Sequence, residues 1–122
     1  MRIHRGLKAF VVAGAIMARA AAADAADDWL GPDKAAHFGF SVAFSSAATT
    51  TVPFAGGPAG DWKTFALGAG IGLVPGIAKE CWDATGRGDA SWKDFAWDVG
   101  GIVVGAGLVW AVQALTGPAA AR

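Results

Sequence analysis

The sequence predicts an all-α protein: a three-helix antiparallel bundle that follows an N-terminal signal segment and is embedded in, or associated with, a membrane. Hydrophobic residues make up 54% of the 122 residues, whereas charged residues make up only 16%. Three long apolar segments are separated by short loops rich in Gly and Pro. This composition is the reverse of that of a disordered chain, and the length suits one domain, so a single helical domain is predicted over residues 26–122.

The charge balance excludes one class of function. The chain contains ten Lys and Arg residues and ten Asp and Glu residues, so its formal net charge is zero. Nucleic-acid binding depends on an excess of basic side chains that neutralise phosphates, so no nucleic-acid partner is expected. The single cysteine, Cys81, cannot form an internal disulfide or a Cys-type zinc site. It is expected to pack as a small hydrophobic residue.

Residues 1–25 have the layout of a secretory signal peptide. Basic residues precede a short uncharged run, and an alanine-rich tract ends in Ala23-Asp24-Ala25. Small residues at the −3 and −1 positions predict cleavage after Ala25, with Ala22 or Ala23 as alternatives. The competing interpretation is an uncleaved N-terminal anchor. Cleavage would leave an exported chain with nine acidic and six basic side chains and a net charge of −3.

The first two helices are predicted at about residues 33–52 and 61–83. Gly31-Pro32-Asp33 suits a helix start, because Pro fits the first turn and an acidic residue there interacts well with the helix dipole. Residues 53–60 contain two Pro and three Gly, which predicts a loop. The second segment carries no charge between Lys63 and Lys79.

The third helix is predicted at about residues 91–115. Ser91-Trp92-Lys93-Asp94 resembles a capping box, in which each end residue satisfies the free backbone amide of the other. Gly117-Pro118 ends the helix. All three segments are apolar nearly all round, which favours membrane insertion and makes membrane lipids the expected surroundings. The competing interpretation is a compact soluble bundle, although so small a chain could hardly hide three such helices from water.

Small and ionisable residues share one face of each predicted helix. Residues three or four apart lie on the same helical face, and small-residue faces let helix backbones approach closely. The three series are therefore expected to face one another. They are Asp33, His37, Ser41, Ser45 and Ala48 on the first helix, Gly68, Gly72, Gly76, Glu80 and Asp83 on the second, and Asp94, Asp98, Gly101 and Gly105 on the third.

Short loops make consecutive helices antiparallel, which gathers the ionisable ends of the three series at one end of the bundle. With an exported N-terminus, that end is expected to face the periplasm. One interpretation is structural, with Asp94 as a cap, Lys79 and Asp83 as an ion pair, and His37 hydrogen-bonded internally. A second is a divalent cation site formed by Asp33, His37, Glu80, Asp83 and Asp98. A third is acid–base catalysis by His37, Glu80 and Asp98.

Four of the six tryptophans are predicted near this same end, as in the aromatic belt of a membrane protein. They are Trp29, Trp82, Trp92 and Trp97. The chain contains no common hydrolase, metalloprotease or phosphate-loop motif that would name a reaction.

Three blocks resemble a known family. In order they are Asp33-Lys34-Ala35-Ala36-His37-Phe38, Ala78-Lys79-Glu80-Cys81-Trp82-Asp83 and Ser91-Trp92-Lys93-Asp94-Phe95-Ala96-Trp97-Asp98. Together they resemble the YfiM-type family of small envelope lipoproteins, a domain of unknown function, and more distantly the VanZ-like membrane proteins. The resemblance implies a small helical envelope protein with clustered motif residues. The chain departs from the lipoprotein pattern because no cysteine follows its apolar signal run.

The expected function is that of a small bacterial-type cell-envelope protein that works by helix packing and by protein or lipid contacts. Its expected partners are membrane lipids and an envelope protein or a second copy of the chain. The alternatives are an enzyme that modifies an envelope lipid or the cell wall, and a cation-binding protein, both using the His and carboxylate cluster.

Overall fold

A computed structural model describes residues 27–88 and 90–117 of the chain. These residues form three α-helices with no strand among them: α1 (Pro32–Thr51), α2 (Trp62–Trp82) and α3 (Trp92–Thr116). A 3-10 turn, Pro53–Ala55, follows α1, and a π-helical turn, Asp83–Arg87, follows α2. The all-α prediction and the positions of the three helices are confirmed. The predicted signal segment, residues 1–25, lies outside the described residues.

The helices run up, down and up, so that each is antiparallel to the next. Near the polar end, the Ser41 hydroxyl of α1 contacts Asp98 of α3, and toward the other end Gln113 of α3 donates to the Thr49 carbonyl oxygen. These contacts show that α1 and α3 are parallel. Gly68 of α2 lies against Thr49, and Gly72 lies against Ser45, so α2 runs in the opposite direction. The predicted bundle topology is confirmed.

The predicted small-residue faces do meet in the centre of the bundle. A methyl group added to Gly72 would lie 2.9 Å from Ser45 Cβ, and one added to Gly101 would also lie 2.9 Å from Ser41 Cβ. The carbonyl oxygen of Phe38 is closer still to Gly101. Backbones at such separations leave no room for larger side chains, so these glycines set the distance between the helices.

The interior is mostly polar and small. The buried hydrophobic residues of the described chain are Ala48, Val52, Ala90, Ile102 and Ala106, whereas the buried polar and charged residues are Lys34, Ser41, Ser45, Thr49, Thr64, Asp83, Ser91, Asp94 and Asp98. Two buried hydroxyls of α1 bond within their own helix: Ser45 donates to the Ser41 carbonyl oxygen at 2.6 Å, and Thr49 donates to that of Ser45 at 2.7 Å. These bonds satisfy hydroxyls that are buried away from solvent.

The exterior is apolar. Nineteen large hydrophobic side chains of the described residues are exposed. Those along the helices include Phe40, Phe44, Leu67, Ile71, Val74, Ile77, Val103, Val104, Leu108 and Val112. By length and composition, α3 is the described helix that could cross a membrane. The bundle thus places its large apolar side chains outward and its small polar ones inward.

At the end of the bundle where α1 and α3 finish, Gly60 packs the loop before α2 against α3. Its φ of 71° lies in the left-handed region, and its α-carbon packs against the backbone of Gln113 and Ala114 in α3. The Gly60 amide also donates to Gln113 Oε1 at 3.3 Å. A side chain at this position would be strained and would clash with α3, so glycine is required there.

A pair of glycines on α2 tests the assignment of its inward face. An added methyl at Gly68 would collide with Thr49, whereas nothing lies within 4 Å of one added at Gly70. Gly68→Ala should therefore lower the free energy of unfolding in detergent by about 1–3 kcal/mol. Gly70→Ala should raise it by up to about 1 kcal/mol, because Ala favours helix over Gly. Equal effects of the two substitutions would show that Gly68 is not at a helix contact.

Candidate functional site

The polar end of the bundle is centred on a buried lysine. The Lys34 side chain is only 1% exposed, and its Nζ lies 2.6 Å from Asp27 Oδ1, 2.5 Å from Asp33 Oδ2 and 2.7 Å from Asp94 Oδ1. Asp27 precedes α1, Asp33 lies in its first turn and Asp94 lies in the first turn of α3. One ammonium group therefore joins three parts of the chain: it donates hydrogen bonds to Asp27 and Asp33 and forms an ion pair with Asp94.

The electrostatics of this group depend on those three contacts. Burial alone would lower the pKa of Lys34, but the contacts with the three carboxylates more than offset this effect, so the pKa lies above its ordinary value. The hydrogen bond from Lys34 likewise holds the pKa values of Asp27 and Asp33 below their usual range. The Lys34 ammonium and the carboxylates of Asp27 and Asp33 therefore stabilise each other's charged forms.

His37 bridges two carboxylates of α3. Its Nδ1 lies 3.0 Å from Asp98 Oδ1, and its Nε2 lies 3.3 Å from Asp94 Oδ2. The ring contributes to both contacts at once when it carries two N–H protons, since both partners are acceptors. The Ser41 hydroxyl donates to the same Asp98 oxygen at 2.9 Å. His37 is thus hydrogen-bonded internally, as the structural interpretation expected.

A second lysine is shared between α2 and α3. Lys79 Nζ lies 2.6 Å from Asp83 Oδ2, which confirms the predicted ion pair, and 3.7 Å from Asp94 Oδ2. Burial would lower its pKa, but the hydrogen bond to Asp83 and the nearby carboxylates raise it above the ordinary value. For Glu80, burial raises the pKa of the carboxyl, and the hydrogen bond from the Ser91 amide offsets only part of this effect.

The start of α3 is capped differently from the predicted capping box. The Ser91 hydroxyl accepts from the Asp94 amide at 3.2 Å, which is the expected half. The Ser91 amide, however, donates to Glu80 Oε2 of α2 at 2.8 Å, and the Ser91 hydroxyl also bonds to Asp27. Because Glu80 takes the reciprocal role, the Asp94 carboxylate is free to bind Lys34 and His37. Ser91 therefore ties both α2 and the chain before α1 to the first turn of α3.

The predicted site residues fall into three neighbouring groups. His37 and Asp98 are in direct contact, Asp33 belongs to the Lys34 group, and Glu80 and Asp83 surround Lys79. Among the described residues, the set whose ligand atoms all lie within 4.8 Å of one another is Asp27, Asp33 and Asp94, and Lys34 contacts all three. The divalent cation expected from the sequence stays a prediction.

Sequence reasoning missed two roles at this end. Asp27 was not a candidate, because it lies before the first helix and no helical spacing relates it to Ser91 or Lys34. Asp94 was expected on the inward face and as a cap but not as a site residue, yet it contacts Lys34, His37 and Lys79. Its place on the same face as Asp98 was the available signal.

A pocket of about 230 Å3 opens beside the His37 and Asp98 pair. Its polar floor contains His37, Ser41 and Asp98, and Lys79 lies at one side. The remaining walls are formed by Ala36, Phe40, Pro75 and Gly76. It is the place at the polar end where a small molecule could reach both charged and apolar groups.

Aromatic side chains surround the polar end. Trp29 and Trp92 form an edge-to-face pair with ring centroids 4.7 Å apart, and the Trp97 indole donates to the Trp29 carbonyl oxygen at 2.9 Å. The grouping of these tryptophans agrees with the prediction. Cys81 is exposed, so the expectation that it packs as a hydrophobic residue is wrong.

Comparison of the chain with family models, with curated proteins and with solved structures gives no match. The resemblance to the YfiM-type and VanZ-like families therefore stays a prediction.

Lys34→Met tests the charge balance of this end. Without the ammonium, three carboxylates lie within 4.8 Å of one another with no counter-charge from Lys34. We expect the thermal midpoint at pH 8 to fall by about 10 °C, whereas Lys63→Met, at the exposed opposite end, should leave it nearly unchanged.

The stabilities of the wild type and of Lys34→Met should change in opposite directions as the pH falls. In the wild type, the lowered pKa values of Asp27 and Asp33 contribute stability that is present above their ordinary value of 3.8 and is lost as the pH falls through the folded values. In Lys34→Met, repulsion raises the carboxyl pKa values, so acid should stabilise the variant. The difference between the thermal midpoints of the wild type and of Lys34→Met should therefore be smaller at pH 5 than at pH 8. A constant gap would show that Lys34 is not the counter-charge.

Proposed function

We propose that the protein is a membrane-embedded protein of the cell envelope that works by helix packing and by contacts with lipids and other proteins. The observation that carries the proposal is the inverted distribution of side chains. Nineteen large hydrophobic residues of the described chain are exposed, while nine serine, threonine and charged residues are buried. In water this surface would drive aggregation, whereas in a lipid bilayer it is the expected one.

The dimensions of the apolar surface support the same proposal. Charge-free stretches occupy residues 38–51 of α1, 64–78 of α2 and 99–116 of α3. At 1.5 Å per residue the longest of them spans about 27 Å, close to the hydrocarbon thickness of about 30 Å. The Lys34 and Lys79 groups then lie outside the hydrocarbon, at the level of the lipid head groups. Trp29, Trp92 and Trp97 lie beside them, where membrane proteins concentrate tryptophan.

The orientation follows from the signal layout of residues 1–25. If these residues direct export, the chain that precedes α1 lies outside the cytoplasm, and the polar end faces the periplasm. The opposite end, with Asp61, Lys63 and the loop at residues 53–60, then lies at the cytoplasmic side.

One outer face of α1 suits a protein partner. Gly39, Ala43 and Ala47 recur every four residues and are exposed, and an added methyl at Gly39 would meet nothing within 4 Å. Small residues at this spacing let another helix approach closely within a membrane. A second copy of the chain or another envelope protein would use this face, while the bulkier faces contact lipid.

An enzyme acting on an envelope lipid or on the cell wall is the second candidate, and the pocket beside His37 and Asp98 is the observation that favours it. Two contacts favour a binding role instead. His37 Nε2, which would take a substrate proton, faces the Asp94 carboxylate at 3.3 Å. Glu80 accepts the Ser91 amide and so holds α2 to α3. His37 is therefore not free in the way that a general base needs, whereas Glu80 keeps its Oε1 without a hydrogen-bond partner among the described residues.

Extraction of membranes tests the proposal directly. Carbonate and high-salt washes should leave the protein in the membrane pellet, because its apolar surface is inserted and not held by charge. Labelling of the exposed Cys81, the single cysteine of the chain, tests orientation. A membrane-impermeant maleimide added to spheroplasts should label Cys81 in the wild type.

The matched control moves the cysteine to the other end. In Cys81→Ser combined with Thr116→Cys, the reactive group lies at the exposed end of α3, and labelling should require permeabilised membranes. Release of the protein by carbonate would contradict membrane embedding. Labelling of Thr116→Cys but not of Cys81 in intact spheroplasts would reverse the orientation.

A further inference from the structure

The pocket beside His37 contains a carboxylate oxygen without a partner. Asp98 Oδ1 accepts from His37 and from Ser41, whereas Asp98 Oδ2 has no hydrogen-bond partner among the described residues. This second oxygen lies over Gly76, where an added methyl group would come within 2.9 Å of it. The Asp98 side chain is 5% exposed, and both Asp98 and Gly76 line the pocket. Asp98 Oδ2 is therefore accessible from the pocket, where a hydrogen-bond donor can reach it.

We propose that this pocket binds the protonated primary amine of a phospholipid head group, with the amine donating to Asp98 Oδ2. The inference rests on the proposed membrane location, because the occupant is taken from the surrounding bilayer. The volume of about 230 Å3 is below that of a typical drug-sized site and suits a head group whose chains remain outside.

The charges around the pocket favour a cation. Lys79 lines the pocket, but its Nζ already lies 2.6 Å from Asp83, 3.7 Å from Asp94 and 3.8 Å from Glu80. Its charge is therefore more than balanced by neighbouring carboxylates. An anion entering the pocket would meet an excess of negative charge, whereas an ammonium group would relieve it.

The donor set distinguishes an amine from a metal ion. A divalent cation such as Ca²⁺ takes six to eight oxygen ligands, and Mg²⁺ takes six in octahedral geometry. The pocket offers one unpaired carboxylate oxygen and the lone pairs of the Ser41 hydroxyl. Two acceptors suit an ammonium, which donates directed hydrogen bonds and whose third proton can remain with water or with the lipid phosphate.

The walls distinguish a lipid from a soluble amine. Phe40, which is 57% exposed, and Pro75 form apolar sides, and Phe44 and Val74 continue the apolar surface away from the pocket. A ligand with an amine at one end and hydrocarbon at the other matches a polar pocket that adjoins an apolar surface. A quaternary ammonium has no N–H to donate, so phosphatidylcholine should bind less well than phosphatidylethanolamine.

Lipid binding to the purified full chain in detergent tests the proposal. We expect short-chain phosphatidylethanolamine to bind about tenfold more tightly than short-chain phosphatidylcholine, measured from the dependence of the thermal midpoint on lipid concentration. Ala36 lines the pocket and belongs to none of the ion pairs described above, so Ala36→Leu should fill part of the pocket and abolish this preference. Ala35→Leu, its exposed neighbour outside the pocket, is the matched control and should retain it.

Asp98→Asn should also abolish the preference for phosphatidylethanolamine over phosphatidylcholine. If Asp98→Asn fails to fold, Ala36→Leu still tests the proposal. Equal binding of the two lipids to the wild type would overturn the proposal, and so would a preference that survives Ala36→Leu. Phosphoethanolamine that binds as tightly as the lipid would identify a soluble amine as the ligand and overturn the lipid source. Because the binding assay is run in detergent, it tests the lipid site and not membrane embedding. Membrane embedding is tested separately by the carbonate extraction.

Discussion

The close approach of α1 and α3 is the constraint on which the remaining structure depends. Gly101 meets the carbonyl oxygen of Phe38, and Gly105 meets that of Val42, so the two parallel helices touch through their backbones. Large apolar side chains cannot fit between backbones at this separation and must point outward. Apart from Val52 and Ile102, the interior is left mainly to small residues and to hydroxyls such as those of Ser45 and Thr49, which bond within their own helix. The apolar exterior is thus a consequence of the interior spacing.

The same constraint places the ionic groups at one end. Where the glycine faces stop, longer side chains can enter between the helices, and Asp94 becomes their shared partner. Its two carboxylate oxygens contact Lys34 on one side and His37 and Lys79 on the other, so one residue of α3 is tied to both other helices. Desolvating these groups costs free energy that their attraction repays only when all partners are in place. The network therefore fixes the register of the helices more than it adds to their stability.

The helices and their inward faces could be predicted from the sequence because both depend on local patterns. Gly and Pro mark the ends, and spacing of three or four residues identifies a face, as Gly68 and Gly72 against Thr49 and Ser45 demonstrate. The site was predicted only in part. The His37 and Asp98 contact joins residues whose faces were predicted, but the Asp27 contacts depend on the path of the chain before α1, and no periodicity encodes that path.

The capping of α3 shows why local motifs mislead at such a site. Ser91 and Asp94 have the spacing of a capping box, and a helix in isolation would use both. In the bundle Glu80 of α2 supplies the acceptor for the Ser91 amide instead. This exchange frees the Asp94 carboxylate for Lys34, which in turn holds Asp27 and Asp33. The Lys34 ammonium thus lies where three carboxylates would otherwise repel one another. Because it is covalently part of the chain, it cannot dissociate as a bound cation would. The stability of this end should therefore depend on pH through its own side chains, even in a medium of low ionic strength.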